Sequence, residues 1–282
     1  MTDIAYSIGE DPQLVGVFTQ SEQDGRDKKL PTILLFNSGL LSHVGPFRQY
    51  VRLAREFSVQ GFNTFRFDLS GIGDSGRHND SRPISERHMG DIQSVMNFLQ
   101  EKHNSEHFIV MGICTGADNA HKAMVNDKRV VGAVCIDGYH YPTLRYYYNC
   151  YAPKVLRLKS WLNFMKDCFK KLSNCASSKK KEDVPDFDYR WEVPCKSKTE
   201  SEYKEFIKRN VDLLCIFTAS WPYNYQNQLA DSFRNIEFGE NIQTVYFENA
   251  DHVFPLTEDR EKLTTTIVQW LNHRFKSNTV ST

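Results

Sequence analysis

The sequence predicts an α/β fold with a mostly parallel, doubly wound central sheet and a helical insertion, and three observations point to it. Short runs rich in β-branched and aromatic residues alternate with longer segments of helical period. One run ends in a glycine-flanked turn, Gly112-Ile113-Cys114-Thr115-Gly116. The alternation then breaks once, over residues 141–210, where the composition changes.

In chain order the candidate strands are Leu14 to Thr19, Thr32 to Phe36, Asn63 to Phe67, His107 to Met111, Val130 to Ile136, Val211 to Phe217 and Ile242 to Phe247. Candidate helices between them are Phe47 to Ser58, Ile84 to His103, Thr115 to Val125, Gln226 to Arg234 and Asp259 to Phe275. In the second helix Ile92, Val95, Met96 and Leu99 recur at helical spacing, a stripe that reads as core packing and not as a cofactor box. The chain thus divides into a first core part at 1–140, a lid insertion at 141–210 and a second core part at 211–282. A length of 282 residues with 40% hydrophobic content is enough for one sizeable core.

Formal net charge is zero, so no whole-protein field favours nucleic acid or an anionic membrane surface. The polar start Met1-Thr2-Asp3-Ile4-Ala5 is no signal peptide, and no stretch reaches the ~18 apolar residues of a membrane span. A cytoplasmic protein is expected. The seven cysteines are an odd number with no CxxC pair and no Cys/His cluster at zinc spacing, so neither a disulfide framework, a metal site nor a cofactor is expected. Most are small buried groups by default, and Cys114 stands out through its setting alone.

That setting is a strand, a tight turn and a helix start in sequence, His107 to Ala117. A nucleophile elbow needs this: the central residue takes a strained backbone, its flanks must be small, and its side chain stands above the sheet edge. The amide of Thr115 then opens the next helix at its positive end.

Four stretches together, Phe36-Asn37-Ser38-Gly39-Leu40, Phe67 to Ser75, the elbow, and Asn249-Ala250-Asp251-His252-Val253-Phe254, resemble the α/β-hydrolase superfamily over nearly the whole chain apart from the insertion. They are also similar to a bacterial branch, including hydrolases associated with exosortase gene clusters, that has Asn-x-Gly after its third strand. The resemblance implies acyl chemistry with Cys114 as nucleophile and His252, after the last strand, as general base. His140, after another strand end, is the rival base. His43, His78 and His88 lie in or beside loops near the same edge, where they could at most touch substrate.

The superfamily's His-Gly pair after the third strand is here Asn37-Ser38-Gly39, so the backbone of Gly39 or Leu40 is expected to complete an oxyanion hole with that of Thr115. The usual acid after the penultimate strand is missing, since Thr218-Ala219-Ser220-Trp221-Pro222-Tyr223-Asn224 holds no carboxylate. Asp137, closing the strand before, can occupy the variant position used by some members; Asp251 adjoins His252 and Asp231 sits on a helix. A cysteine lessens the need for an acid, because a thiol near pKa ~8.5 ionises more readily than an alcohol.

The expected function is hydrolysis of an ester or thioester through an acyl-Cys114 intermediate. Acyl transfer or thioester cleavage on a carrier is the alternative, and a non-catalytic ligand-binding protein the second. The insertion carries nine Lys/Arg against one acid, Asp167, between Lys154 and Lys181, a basic face that could meet an acidic acyl-carrier protein or simply be solvated. Tyr139, Tyr141 and Trp221 are candidate contacts for a small acyl substrate, although aromatic residues also serve to hold an insertion in place.

Overall fold

The computed structural model describes residues 2–23, 30–155, 193–219 and 225–276. Eight strands form one sheet: β1 (Asp3–Ile8), β2 (Leu14–Thr19), β3 (Thr32–Phe36), β4 (Thr64–Phe67), β5 (Phe108–Ile113), β6 (Val130–Ile136), β7 (Asp212–Thr218) and β8 (Ile242–Phe247). Their order is β1-β2-β4-β3-β5-β6-β7-β8, antiparallel at β1–β2 and β2–β4 and parallel elsewhere. The α/β-hydrolase fold is therefore present. Strand β1 was not foreseen, because its residues alternate exposed and half-buried at the sheet edge and carry only a weak apolar signal.

The helices are α1 (Gln49–Val59), α2 (Ile84–His103), α3 (Thr115–Asn126), α4 (Leu144–Val155), α5 (Lys196–Lys208), α6 (Gln228–Ser232) and α7 (Thr257–Leu271). Helix α1 starts two residues later than expected, since Phe47 and Arg48 take left-handed backbone with φ of 51° and 59°. Helix α6 is a single short turn, and α7 begins at Thr257 and passes into a π-type turn at Asn272–Lys276. Ile33 and Leu35 of β3, Ile109 and Met111 of β5, and Leu214 and Ile216 of β7 share one buried cluster with Leu53 and Phe57 of α1 and Leu263 and Ile267 of α7. Alternate side chains of each strand face the other layer, where α3 packs on β5 and β6. Both faces of the parallel strands are thus covered, which is why they read as continuous apolar runs.

The chain forms two compact units, residues 1–140 with 193–282, and residues 141–192. The expected boundary at 210 moves to 192, because α5 belongs to the first unit. Tyr203 and Phe206 of α5 place their rings 5.6 and 5.1 Å from that of His121 on α3, and Glu202 meets His121 Nε2 at 2.8 Å. Arg209, just past α5, donates to the carbonyls of Met124 and Asp127 at the end of α3, where a helix leaves acceptors open, and to that of Val130 at the start of β6. In the second unit, α4 starts with Thr143 Oγ1 accepting the amide of Tyr146 at 3.0 Å. The basic segment from residue 156 onward lies outside the described residues.

Candidate active site

The turn between β5 and α3 is built from close approaches. Cys114 has φ 57° and ψ −120°, a left-handed backbone that few side chains adopt. A Cβ on Gly112 would lie 2.1 Å from the carbonyl carbon of Gly116, and one on Gly116 would lie 2.9 Å from the carbonyl oxygen of Asn37. Only glycine fits at both. The amide of Cys114 donates to Ile136 O at 2.9 Å, that of Ile113 to Tyr50 Oη at 3.2 Å, and Cys114 O accepts the amides of Ala117 and Asp118. Neighbouring strand, helix α1 and helix α3 all fix the strained residue. The Cys114 side chain remains partly exposed.

Asp137 follows β6 directly, also at positive φ (49°), and its amide donates to Ile216 O on β7. Its buried carboxylate accepts three donors: Thr218 N at 2.8 Å, Thr218 Oγ1 at 2.7 Å and His252 Nδ1 at 2.7 Å. His252 lies in the loop between β8 and α7, its side chain 33% exposed. Its pKa is pushed up to about 10, first by the hydrogen bond to Asp137 and next by one to Cys114, against the opposing effect of burial. Since Asp137 engages Nδ1, the sulfur is left with Nε2. Cys114, His252 and Asp137, picked out from the sequence, therefore come together in one hydrogen-bonded line.

The rival groups differ in setting. Burial lowers the pKa of His140, opposite to His252, and the carboxylate of Asp137 pairs with His252. Asp251 is exposed and accepts the amide of Val253 through Oδ1, and Asp231 sits on α6. Ser220, Trp221 and Asn224 lie outside the described residues, so the expected role of Trp221 does too.

Two expectations for the surroundings need correction. The amide of Gly39 donates to Thr115 Oγ1 at 2.7 Å, so it is engaged by a side chain instead of being held ready for substrate. Tyr139 is not on an open pocket wall: only 7% exposed, it stands edge-on to His121 at 5.1 Å between α3 and α5. There it borders a cavity of about 10 Å³ with Ala117, Cys135, Tyr203 and Cys215, room for a single water. Leu40 is 63% exposed beside Gly39, and Tyr141 opens the second unit, partly exposed.

The loop after β4 is organised by Asp68, which is fully buried and accepts His43 Nδ1 at 2.8 Å and the amide of Asp74 at 3.1 Å. His43, Asp68 and Asp74 lie near enough together to suggest a cation, but these bonds already engage the Asp68 carboxylate with the loops after β3 and β4. His78 is likewise bound to Asp91 at 2.8 Å, and burial on α2 takes His88 down to about 4. His43 and His78 are thus bound to carboxylates and His88 is buried on a helix, whereas the sequence left open that all three could touch substrate.

Fold and site together define an α/β-hydrolase. The family model described as "Serine aminopeptidase, S33" matches residues 29–212, more than half of the chain, and the chain belongs to that family. None of the curated proteins matches the sequence. Among solved structures, the esterase Pf2001 of Pyrococcus furiosus is similar with a TM-score of 0.60 at 13% identity, over 96% of this chain and 91% of that one. An α/β serine hydrolase without a lid from Xanthomonas campestris gives 0.56 at 12% identity, over 98% and 96%. The α/β-hydrolase GrgF from a Penicillium species gives 0.57 at 12%, over 97% and 98%. At these identities the likeness is one of fold.

Proposed function

We propose that the protein hydrolyses an ester or thioester through an acyl group carried on Cys114, with His252 as general base and Asp137 orienting it. The observation that carries this reading is the line from Asp137 Oδ2 through His252 Nδ1, at 2.7 Å, to a ring nitrogen hydrogen-bonded to Cys114. The cysteine stands where the family's name speaks of serine. A thiolate beside an imidazolium attacks the acyl carbonyl carbon; the C–S bond forms and the carbonyl π pair moves to oxygen. Collapse of the tetrahedral species breaks the bond to the alkoxide or thiolate leaving group, which takes the Nε2 proton of His252. Water then loses a proton to His252 as it attacks the acyl carbon, and the Cys114 thiolate leaves.

Because a thioester is more open to amine or thiol attack than an oxygen ester, the same intermediate also supports transfer to an acceptor other than water. The Asn37 side chain, bridging Gly39 O at 3.1 Å and Leu69 N at 3.3 Å, supports likeness to the Asn-x-Gly branch associated with exosortase clusters. Residues 141–192 are proposed as a lid, acidic acyl-carrier protein as a partner for its basic stretch, and the cytoplasm as the location. No helix among the described residues is long and apolar enough to cross a membrane.

Intact-protein mass spectrometry after exposure to a panel of acyl esters and thioesters tests the reading. The expected result is one added acyl mass, located on Cys114 by peptide mapping, absent in Cys114→Ala and slow to form in His252→Ala. Acylation elsewhere, or none while Cys114 still reacts with alkylating agents, would refute it.

A further inference from the structure

The hydroxyl of Thr115 is a buried donor that meets no acceptor among the described residues. Thr115 is 8% exposed, and its Oγ1 accepts the amide of Gly39 at 2.7 Å. A hydroxyl has two acceptor lone pairs and one proton. Among the described residues none accepts that proton, although buried polar hydrogens nearly always find a partner. The residue is also the first of α3 and adjoins Cys114, so its amide is one of those an α-helix leaves without an intrahelical acceptor. Asn37 braces the carbonyl of Gly39 at 3.1 Å, and Gly39 itself sits at φ 54°, so the loop after β3 holds its amide toward the hydroxyl.

We infer that the Thr115 hydroxyl is a catalytic donor to the oxyanion formed on acylation of Cys114. The inference rests on the acyl-transfer reading of the site and adds a group to it. An O–H that accepts a hydrogen bond from an N–H is polarised into a stronger donor. The Gly39 amide therefore acts through Thr115: its N–H supports Oγ1, and Oγ1–H meets the negative oxygen. When the thiolate adds to the carbonyl carbon and the π pair moves to oxygen, that oxygen is met by the amide and the hydroxyl of one residue. No proton leaves Thr115 in the step, and both bonds relax when the carbonyl re-forms. The chain lacks the His-Gly pair usual after the third strand, and the threonine supplies the donor that this loop does not present directly.

The test compares wild type with Thr115→Val, Thr115→Ala and Thr115→Ser in two reactions of Cys114. One is single-turnover acylation by p-nitrophenyl butyrate and by a butyryl thioester, followed by intact mass. The other is alkylation by iodoacetamide, which displaces iodide at a saturated carbon and forms no oxyanion. Expected is a loss of roughly 10²–10³-fold in acylation for Val and Ala, the size found when one oxyanion donor is removed. Alkylation should be unchanged and Ser should recover most of the acylation rate. Acylation of Val and Ala at the wild-type rate overturns the inference alone. So does a joint fall of acylation and alkylation, or Ser as slow as Val, since either makes Thr115 a packing residue. A wild type that is alkylated at Cys114 but never acylated overturns the acyl-transfer reading and this inference with it.

Discussion

His252 Nδ1 lies 2.7 Å from Asp137 Oδ2, and the same carboxylate holds the hydroxyl of Thr218 at 2.7 Å and its amide at 2.8 Å. Three donors thus satisfy a carboxylate with almost no access to water, as a buried polar group requires. The clamp comes from the end of β7, where the superfamily more often carries the acid itself. Thr218 fills that position and fixes Asp137 at the end of β6.

The raised pKa of His252 has a pH signature. Its folded value, about 10, lies above the ordinary unfolded value near 6.5, so folding favours the imidazolium. That contribution to stability is complete below about pH 6.5 and fades as pH rises through about 10. Thermal melts of wild type and His252→Ala across this window should show the wild type losing its advantage toward alkaline pH. A gap constant across the window would mean that His252 is not held as the cation.

Thiol reactivity should separate the described cysteines by setting. Cys135 and Cys215 are buried with pKa values pushed up by desolvation, Cys215 to about 12, so limiting iodoacetamide near neutral pH should leave both intact. Cys195 is exposed, and hydrogen bonding with Ser197 lowers its pKa, which makes it the competitor for label. Cys114 should react first, and His252→Ala should slow Cys114 while leaving Cys195 unchanged. Peptide mapping of the labelled protein checks both statements; equal slowing of the two thiols would point to a general change in the fold.

Asp137→Asn keeps the side chain's shape but removes the charge that stabilises the imidazolium. Acylation of Cys114 should fall by roughly 10²-fold, within the range for general acid–base assistance, and less than in Cys114→Ala. The pKa of His252, followed by NMR of its ring protons, should fall at the same time, since the bond to Asp137 is the main cause of its rise. A normal rate with an unmoved pKa would leave a Cys–His pair acting alone.

Much of this site was legible because a nucleophile elbow dictates glycines on both flanks and a strand and helix around them, so Gly112, Cys114 and Gly116 carried their geometry in their spacing. Asp137 was chosen because the superfamily resemblance offers a variant position after the preceding strand where no carboxylate follows β7, and its carboxylate meets His252. The engagement of Gly39 by Thr115 was not, because it joins positions 76 residues apart through a side chain that local sequence does not orient. Tyr139 misled for a related reason: an aromatic residue near a strand end faces substrate or core according to what lies opposite, and His121 with α5 lies opposite. Helix α5 did carry a signal, since Thr199, Tyr203 and Phe206 at helical spacing are its buried residues, but it lay inside the segment read as an insertion.

The position of α5 gives the last prediction. Phe206 is fully buried and faces His121 at 5.1 Å, within the unit that contains the sheet. Phe206→Ala removes a large ring from a packed interior, a change that costs about 3–5 kcal/mol, and the loss should appear in the main cooperative unfolding transition. Tyr148→Ala makes a comparable truncation on α4, where the side chain is 72% exposed; exposed substitutions of this kind stay within about 0.5 kcal/mol. Urea denaturation followed by tryptophan fluorescence and by circular dichroism compares the two variants with wild type. If residues 193–210 belonged to an insertion that unfolds separately, Phe206→Ala would leave the main midpoint in place and shift only a minor early phase. A large drop in the main midpoint for Phe206→Ala, with none for Tyr148→Ala, fixes the end of the insertion before α5.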